Sequence, residues 1–310
     1  MAGLDAGERT ALRLLEWLDT RGYDFVTITP ESHRRVMARA EMQRATDLRG
    51  IFGWSLPFDE AVAGWGLLAL LRDGDLMRAC DGGWKATVRV SRVRGQLFLH
   101  SAFPTDSEDS VFLGPDTLRF LDFIEDELQT KPVQRLVDIG TGAGVGGIMA
   151  ARMLGGSVRV ELADINRRAL SFARVNAAFA GVTVETVESD GVAAIAPGFD
   201  LAIANPPFII DEGGPAYRAG GGMHGAELSL NWALEAAGKL APGGRVLLYT
   251  GSAIVGGRDA LRAALTAQLP ADCSLDWREL DPDIFGEELA TRAYAQVERI
   301  AAIGAVIARA

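Results

Sequence analysis

Residues 136–147 read LVDIGTGAGVGG. An apolar stretch, Leu136 to Ile139, runs into glycines at 140, 142 and 144, and an apolar segment continues to Leu154. That order predicts a buried strand, a tight turn and a helix folded back onto the strand. Glycine supplies the positive φ such a turn needs and lets the backbone approach a ligand closely. The helix N-terminus behind it offers unpaired N–H groups.

Outward from this unit the same alternation repeats. VRVELADI (158–165), TVETVESD (183–190), FDLAIAN (199–205) and GGRVLLYT (243–250) read as strands. Helical segments follow the first of them, through Ala180, and lie at about 226–240 and 257–269. Strands separated by helices predict an α/β fold with a mostly parallel sheet covered on both faces. SLDWREL (274–280) and VERIAAIGAVIA (297–308) close the chain with no long helix between them, which predicts an antiparallel C-terminal edge strand.

Upstream, residues 5–20, 29–52 and 59–74 read as helices, the second opened by Thr29-Pro30-Glu31. WKATVRVSRVRGQLFLHSAF (84–103) alternates about Arg94-Gly95, a β-hairpin pattern. The polar run 104–110 marks a boundary. The expected organisation is an N-terminal helical and hairpin domain, 1–103, and a ligand-binding domain, 111–310.

Composition narrows the class. The chain has 310 residues and a net charge of −10, which argues against a non-specific nucleic-acid binder. Cys80 and Cys273 are too few for a disulfide framework or a zinc cluster, so no metal is expected. The N-terminus lacks the apolar core of a signal peptide, and the longest apolar run is too short to span a bilayer, so the expected compartment is the cytoplasm with no membrane partner.

Gly142, Gly144 and Gly147 alone also spell a dinucleotide fingerprint, which keeps a nicotinamide-dependent oxidoreductase open. Two aspartates bear on the choice. Asp138, just before the glycines, would repel a pyrophosphate and suit a cation such as a sulfonium with an amino-acid tail. Asp164, ending the second strand in ELADIN, can accept both hydroxyls of a ribose, though either cofactor type uses an acid there. Asp190, ending the third strand, is placed to meet an adenine amino group.

The fourth strand ends in a corner, FDLAIANPPFII (199–210). Asn205 carries a side-chain carbonyl, and as the residue before a proline it is biased to extended backbone. Pro206 keeps its carbonyl as a second acceptor, and Phe208 can offer an aromatic face. Together they read as a clamp for a planar group bearing N–H donors.

VDIGTGAG, ADIN and NPPF in this order resemble the class I S-adenosylmethionine-dependent methyltransferases, which have a Rossmann-like sheet. More narrowly they resemble members that methylate exocyclic or amide nitrogen, among them release-factor glutamine methyltransferases and RNA base methyltransferases. VFLGPDTLRF (111–120) is similar to the segment preceding the core in the release-factor enzymes, where a Pro-Asp-Thr run lies close to the cofactor. Those enzymes also carry a helical N-terminal domain followed by a hairpin. Phe208 departs from the tyrosine usual in that subgroup. The resemblance implies S-adenosyl-L-methionine as cofactor. It implies contacts from Asp138, Gly140, Thr141, Gly142, Gly144, Asp164, Ile165, Asp190, Asn205 and Thr117, and an acceptor clamp of Asn205, Pro206 and Phe208.

Protein glutamine is the expected acceptor, ahead of an RNA base, with a small-molecule amide or amine third. Residues 1–110 hold 14 basic against 16 acidic side chains, so no dense phosphate-binding stretch is present. The basic pieces 33–39 and 89–94 read as solvated faces. A cofactor-binding scaffold without catalysis is disfavoured by the intact clamp. The Gly-rich stretch 211–229 reads as a loop over the site, with His224 as a surface-loop histidine before a general base and Arg218 as a minor candidate for a substrate anion.

Overall fold

The computed structural model describes residues 3–128, 132–155, 157–210 and 220–310. Helix α1 (Ala6–Asp19) opens on a reciprocal capping box between Asp5 and Glu8. α2 (Pro30–Met37) starts on Thr29 with Pro30 in its first turn, as the sequence predicts. It then stops, and the single helix expected over 29–52 is two. Asp47 caps a new short helix, α3 (Leu48–Phe52), by accepting from the Gly50 amide. Gly50 packs so close to Ala45 that a Cβ there would lie 2.7 Å from the alanine methyl, a contact a straight helix would not make. α4 (Glu60–Asp73) is kinked at Gly64.

Two hairpins follow. β1 (Met77–Cys80) and β2 (Gly83–Ala86) pair across Asp81-Gly82, an Asp-Gly turn and a hairpin beyond the one expected. β3 (Val88–Val93) and β4 (Gln96–Ser101) pair across Arg94-Gly95, as expected. Arg94 and Gly95 both have positive φ, 46° and 84°, the geometry that matches strand twist in a two-residue turn.

The remainder is the alternating unit: α5 (Pro115–Leu128), β5 (Arg135–Ile139), α6 (Val145–Leu154), β6 (Arg159–Asp164), α7 (Arg167–Ala180), β7 (Glu185–Glu188), β8 (Phe199–Ala204), α8 (Glu227–Lys239), β9 (Leu240–Val255), β10 (Arg258–Asp259), α9 (Ala260–Gln268), β11 (Cys273–Asp281) and β12 (Arg299–Arg309). The sheet order is β11-β12-β9-β8-β5-β6-β7, with β10 folded back on β9. β9, β8, β5, β6 and β7 are mutually parallel, and β12 joins this end antiparallel to β9 with β11 outside it.

Side chains alternate across the sheet as a period of two requires. Leu136, Leu162, Leu201, Leu247 and Tyr249 face the core that holds α5, α6 and α7. Val137, Ile139, Ala202, Ala204 and Leu248 face α8 and α9. The first core continues without a break into the N-terminal region, through Leu15, Phe52, Val90, Leu97 and Phe98.

Polar ties cross the same junction. Asn176 of α7 is fully buried; it accepts from the Leu99 amide (2.7 Å) and donates to the carbonyls of Leu99 (3.0 Å) and Ala143 (2.8 Å). One side chain thus joins the hairpin, α7 and the glycine turn. Arg94 at the hairpin tip pairs with Asp122 and Glu125 of α5, and Glu8 accepts from Arg174. The basic piece 89–94 is therefore not a solvated face: Arg89 is buried and donates to the Gly53 carbonyl, and Arg92 donates to the carbonyls of Gly95 and Tyr23. Among the described residues, no helix is long and apolar enough to cross a membrane.

Candidate functional site

The chain reverses direction across the sheet between β5 and β8, and ligands of open α/β sheets bind at such a switch point, beyond the carboxyl ends of the strands. The register aligns those ends. Ile139 pairs with Ala163 on one side and Ala204 on the other, and Ala204 pairs with Leu248. Gly140, Asp164 and Asn205 are each one residue farther on, so they share one rim, and Tyr249 is buried at the same level inside β9. Residues predicted from separate segments of sequence are brought together by strand register.

The glycine turn is built as the spacing implies. Gly140, Gly142 and Gly144 have φ of 65°, 54° and 82°. A side chain at Gly140 would meet Trp232 of α8 at 2.5 Å, whereas one at Gly142 would have only Val111, at 3.9 Å. The turn is packed from behind and open in front. Trp232 also limits Gly191, just after Asp190, where a Cβ would lie 2.9 Å from its ring. The sequence reading missed Trp232, whose one signal was a large aromatic on α8.

Asp164 locks this turn. Its Oδ2 accepts from the Gly142 amide and its Oδ1 from the Asn166 amide, both at 2.9 Å. Burial pushes its carboxyl up, against those hydrogen bonds. Ile165 beside it is 64% exposed, a bare apolar surface at the crevice. Asp190 is exposed on the loop after β7, and its carbonyl accepts from the Ala193 amide. Thr117 lies in the first turn of α5, its amide bonded to the Gly114 carbonyl.

Asp138 differs from its expected role. It is 2% exposed, and its Oδ2 accepts from the Thr141 hydroxyl (2.6 Å) and the Gly147 amide (2.8 Å). A strand-end side chain on the α6 side of the sheet falls beneath the turn, so it braces the turn instead of presenting an open carboxylate. Burial pushes its carboxyl up to about 7, opposed by those two hydrogen bonds and aided by the charge of Asp164. The folded pKa lies above the unfolded value of about 3.9. The stability that the protonated carboxyl contributes is therefore fully present below about pH 4 and is lost as pH rises from there through about 7. The ligand-free protein should lose stability over that window relative to Asp138→Asn. Urea midpoints at pH 5.5, 6.5 and 7.5 test this, and a wild-type to variant difference that stays constant with pH would contradict it.

On the other side of the rim, Asn205 is half-buried and Pro206 buried. Phe208 is 8% exposed; its ring lies over Gly251, where a Cβ would be 2.4 Å away, and meets Phe285 edge-on at 5.5 Å. The ring is therefore set into the wall of the crevice, not held out at the tip of the corner. Tyr249 donates to Asp116 at 2.9 Å, and Arg119 donates to the same oxygen at 3.2 Å. Burial raises the pKa of both Asp116 and Tyr249. This buried pair, which ties the Pro-Asp-Thr segment to β9, has no signal in the sequence, where only Thr117 of that segment is singled out. His224 is half-buried with its ring 6.2 Å from that of Tyr294. Arg218 lies outside the described residues, and among them no cluster of His, Cys, Asp or Glu is placed to hold a metal.

Comparison with known proteins shows the family. The family model "Methyltransferase small domain" matches residues 121–253. A release factor glutamine methyltransferase of Deinococcus radiodurans is 30% identical over 221 residues, 67% of this chain and 75% of that one. A ribosomal RNA small subunit methyltransferase C of Hahella chejuensis is 43% identical over 75 residues, 24% of this chain and 22% of that protein. Among solved structures, a T. thermophilus 16S rRNA N2 G1207 methyltransferase in complex with AdoMet and guanosine is 16% identical, covers 82% of this chain and 63% of its own, and has a TM-score of 0.47.

Fold and site thus define a Rossmann-like transferase that takes a nucleoside-bearing cofactor. The chain belongs to the S-adenosylmethionine-dependent methyltransferases of the methyltransferase small domain family. That membership sets aside the oxidoreductase alternative. The residues present fit the cofactor: a carboxylate at the end of β6, an exposed apolar side chain next to it, and a glycine turn with open space before Gly142.

Proposed function

We propose that this methyltransferase acts on a planar amide or amine nitrogen, with protein glutamine as the acceptor class. The observation that carries the reading is the corner Asn205-Pro206-Pro207-Phe208, which leaves β8 one residue beyond the pair Ala204–Ile139 and so stands next to Gly140. Residues 111–310 hold the cofactor in this reading and residues 1–103 select the acceptor, the two packed on one core.

S-adenosylmethionine, when bound, supplies an electrophilic methyl on a sulfonium. Asp164 would accept the ribose hydroxyls, Ile165 would cover one face of the adenine, Asp190 would meet its amino group, and Gly140 to Gly144 would pass close to the amino-acid tail. Thr117 would approach from the first turn of α5.

An amide nitrogen is a poor nucleophile because its lone pair is delocalised. The side-chain carbonyl of Asn205 and the backbone carbonyl of Pro206 would accept its two N–H bonds and aim the lone pair at the methyl. Positioning of this kind is worth up to roughly 7–11 kcal/mol in favourable cases. The same oxygens favour the positive charge that develops on nitrogen, the reverse in sign of an oxyanion hole. Phe208, set against Gly251, would limit the plane in which the acceptor lies. The proton leaves to solvent in this scheme, and no side chain is required as a base.

Three facts support a protein acceptor over RNA. The net charge is −10, the arginines of 89–94 are turned to internal partners, and the Deinococcus radiodurans relative is a release factor glutamine methyltransferase. The test is transfer of labelled methyl to pooled protein and to pooled RNA, beside filter binding of RNA across salt. Label is expected in protein, at a glutamine by mass spectrometry, with weak RNA binding. Label in RNA alone, with log affinity falling more steeply than about −4 per log unit of salt, would move the acceptor to RNA.

A further inference from the structure

Consecutive prolines fix the direction of the clamp but remove two backbone donors, so the corner cannot be held in place by its own N–H groups at 206 and 207. Amide donors that can tie the corner begin with the residues just beyond. Ile210 supplies the next observed tie: its amide donates to the hydroxyl of Tyr294 at 2.9 Å. That hydroxyl donates in turn to the His224 carbonyl at 3.2 Å. Tyr294 is buried and belongs to the connection between β11 and β12, residues 282–298, which lies outside the span matched by the family model.

The surroundings are unusually constrained. Met223 and His224 both have positive φ, 55° and 54°, a costly backbone for residues with side chains. Gly225 sits so close to Phe208 that a Cβ would be 2.3 Å from the Phe208 carbonyl oxygen. The Gly220 amide donates to the Ile209 carbonyl at 2.9 Å. The same connection contributes Phe285, edge-on to Phe208. Two aromatic residues from one distant segment therefore meet the clamp at successive points, Phe285 at Phe208 and Tyr294 at Ile210.

We infer that Tyr294 is a positioning residue for the acceptor clamp, holding the segment just beyond the two prolines against the His224 carbonyl so that Asn205 and Pro206 keep their aim. This deepens the proposed reading and rests on it for the identity of the acceptor. The hydroxyl touches neither cofactor nor acceptor in this scheme; it acts through the backbone of Ile210.

The decisive variant is Tyr294→Phe, which keeps the ring and removes the hydroxyl's bonds to Ile210 and His224. Three measurements are made on the full chain. Hydrogen exchange at the Ile210 amide should quicken by about tenfold, the worth of one such bond. Calorimetry with S-adenosylhomocysteine should show affinity unchanged within about twofold, since the tie lies on the acceptor side. Methyl transfer to a capped glutamine peptide, with a short RNA hairpin as the second arm, should show kcat reduced about tenfold and KM moved much less.

Asp200→Ala is the control. Asp200 accepts from the amides of Gln134 and Arg135 at the opposite end of β8, so its loss weakens the same strand away from the crevice. It should cost stability and leave kcat alone. Normal kcat in Tyr294→Phe, unchanged exchange at Ile210, or an equal loss of kcat in Asp200→Ala would each overturn the inference. If wild type labels neither probe, the acceptor reading fails, and the exchange rate at Ile210 still decides whether Tyr294 holds the clamp.

Discussion

Asn205→Ala is expected to lower methyl transfer by about 10²-fold or more while S-adenosylhomocysteine binds within about twofold of wild type. The size follows from where the group acts. Asn205 stands one residue past the Ala204–Ile139 pair, next to the cofactor turn, but the turn itself is held by Asp164 and Asp138. Removing the side-chain carbonyl takes away one of two acceptors for the N–H bonds and leaves the Pro206 carbonyl to hold the nitrogen alone. The loss is concentrated in the transition state, where charge builds on nitrogen, so it should fall on kcat more than on KM. Single-turnover transfer beside calorimetry separates the two effects. An Asn205→Ala protein that binds cofactor normally and transfers at the wild-type rate would remove the clamp from the mechanism.

Asp164→Ala should have the opposite signature. Affinity for S-adenosylhomocysteine is expected to fall at least about a hundredfold, the loss of two hydrogen bonds to a charged acceptor at roughly 1.5–3 kcal/mol each. A second cost comes from within the protein, because Asp164 also accepts from the amides of Gly142 and Asn166 and so holds the turn that would line the ligand. Asp164→Asn separates the contributions: it keeps a carbonyl for one amide but no longer offers a charged, two-oxygen acceptor, and it should retain more of the fold than of the affinity. The check is calorimetry together with a urea midpoint for each variant. Unchanged cofactor affinity in a folded Asp164→Ala protein would mean that the ribose is held elsewhere.

Much of the chain's architecture was legible from local pattern. The hairpin at Arg94-Gly95, the Thr29-Pro30 helix start, the βα alternation and the glycine turn all depend on near neighbours: the sign of φ, a two-residue or 3.6-residue period, a cap. The helix expected over 29–52 is broken for a physical reason of the same kind. Residues 38–47 have helical composition, and only the cap by Asp47 with the Ala45–Gly50 contact shows that the chain turns there.

By itself the sequence determined the α/β class, the glycine turn, the acidic end of β6 and the Asn-Pro-Pro-Phe corner, and through their order the family. Tertiary structure alone decided what those residues face. Asp138 falls beneath the turn because its strand position puts it on the α6 side of the sheet, with Gly147 nine residues on as its partner. Asn176 bonds to Leu99, 77 positions away, and Tyr294 to Ile210, 84 positions away. Trp232 closes the space behind both Gly140 and Gly191. Such contacts carry no periodic trace, since packing joins residues by distance in space, and the chain between them sets no constraint on which side chain arrives.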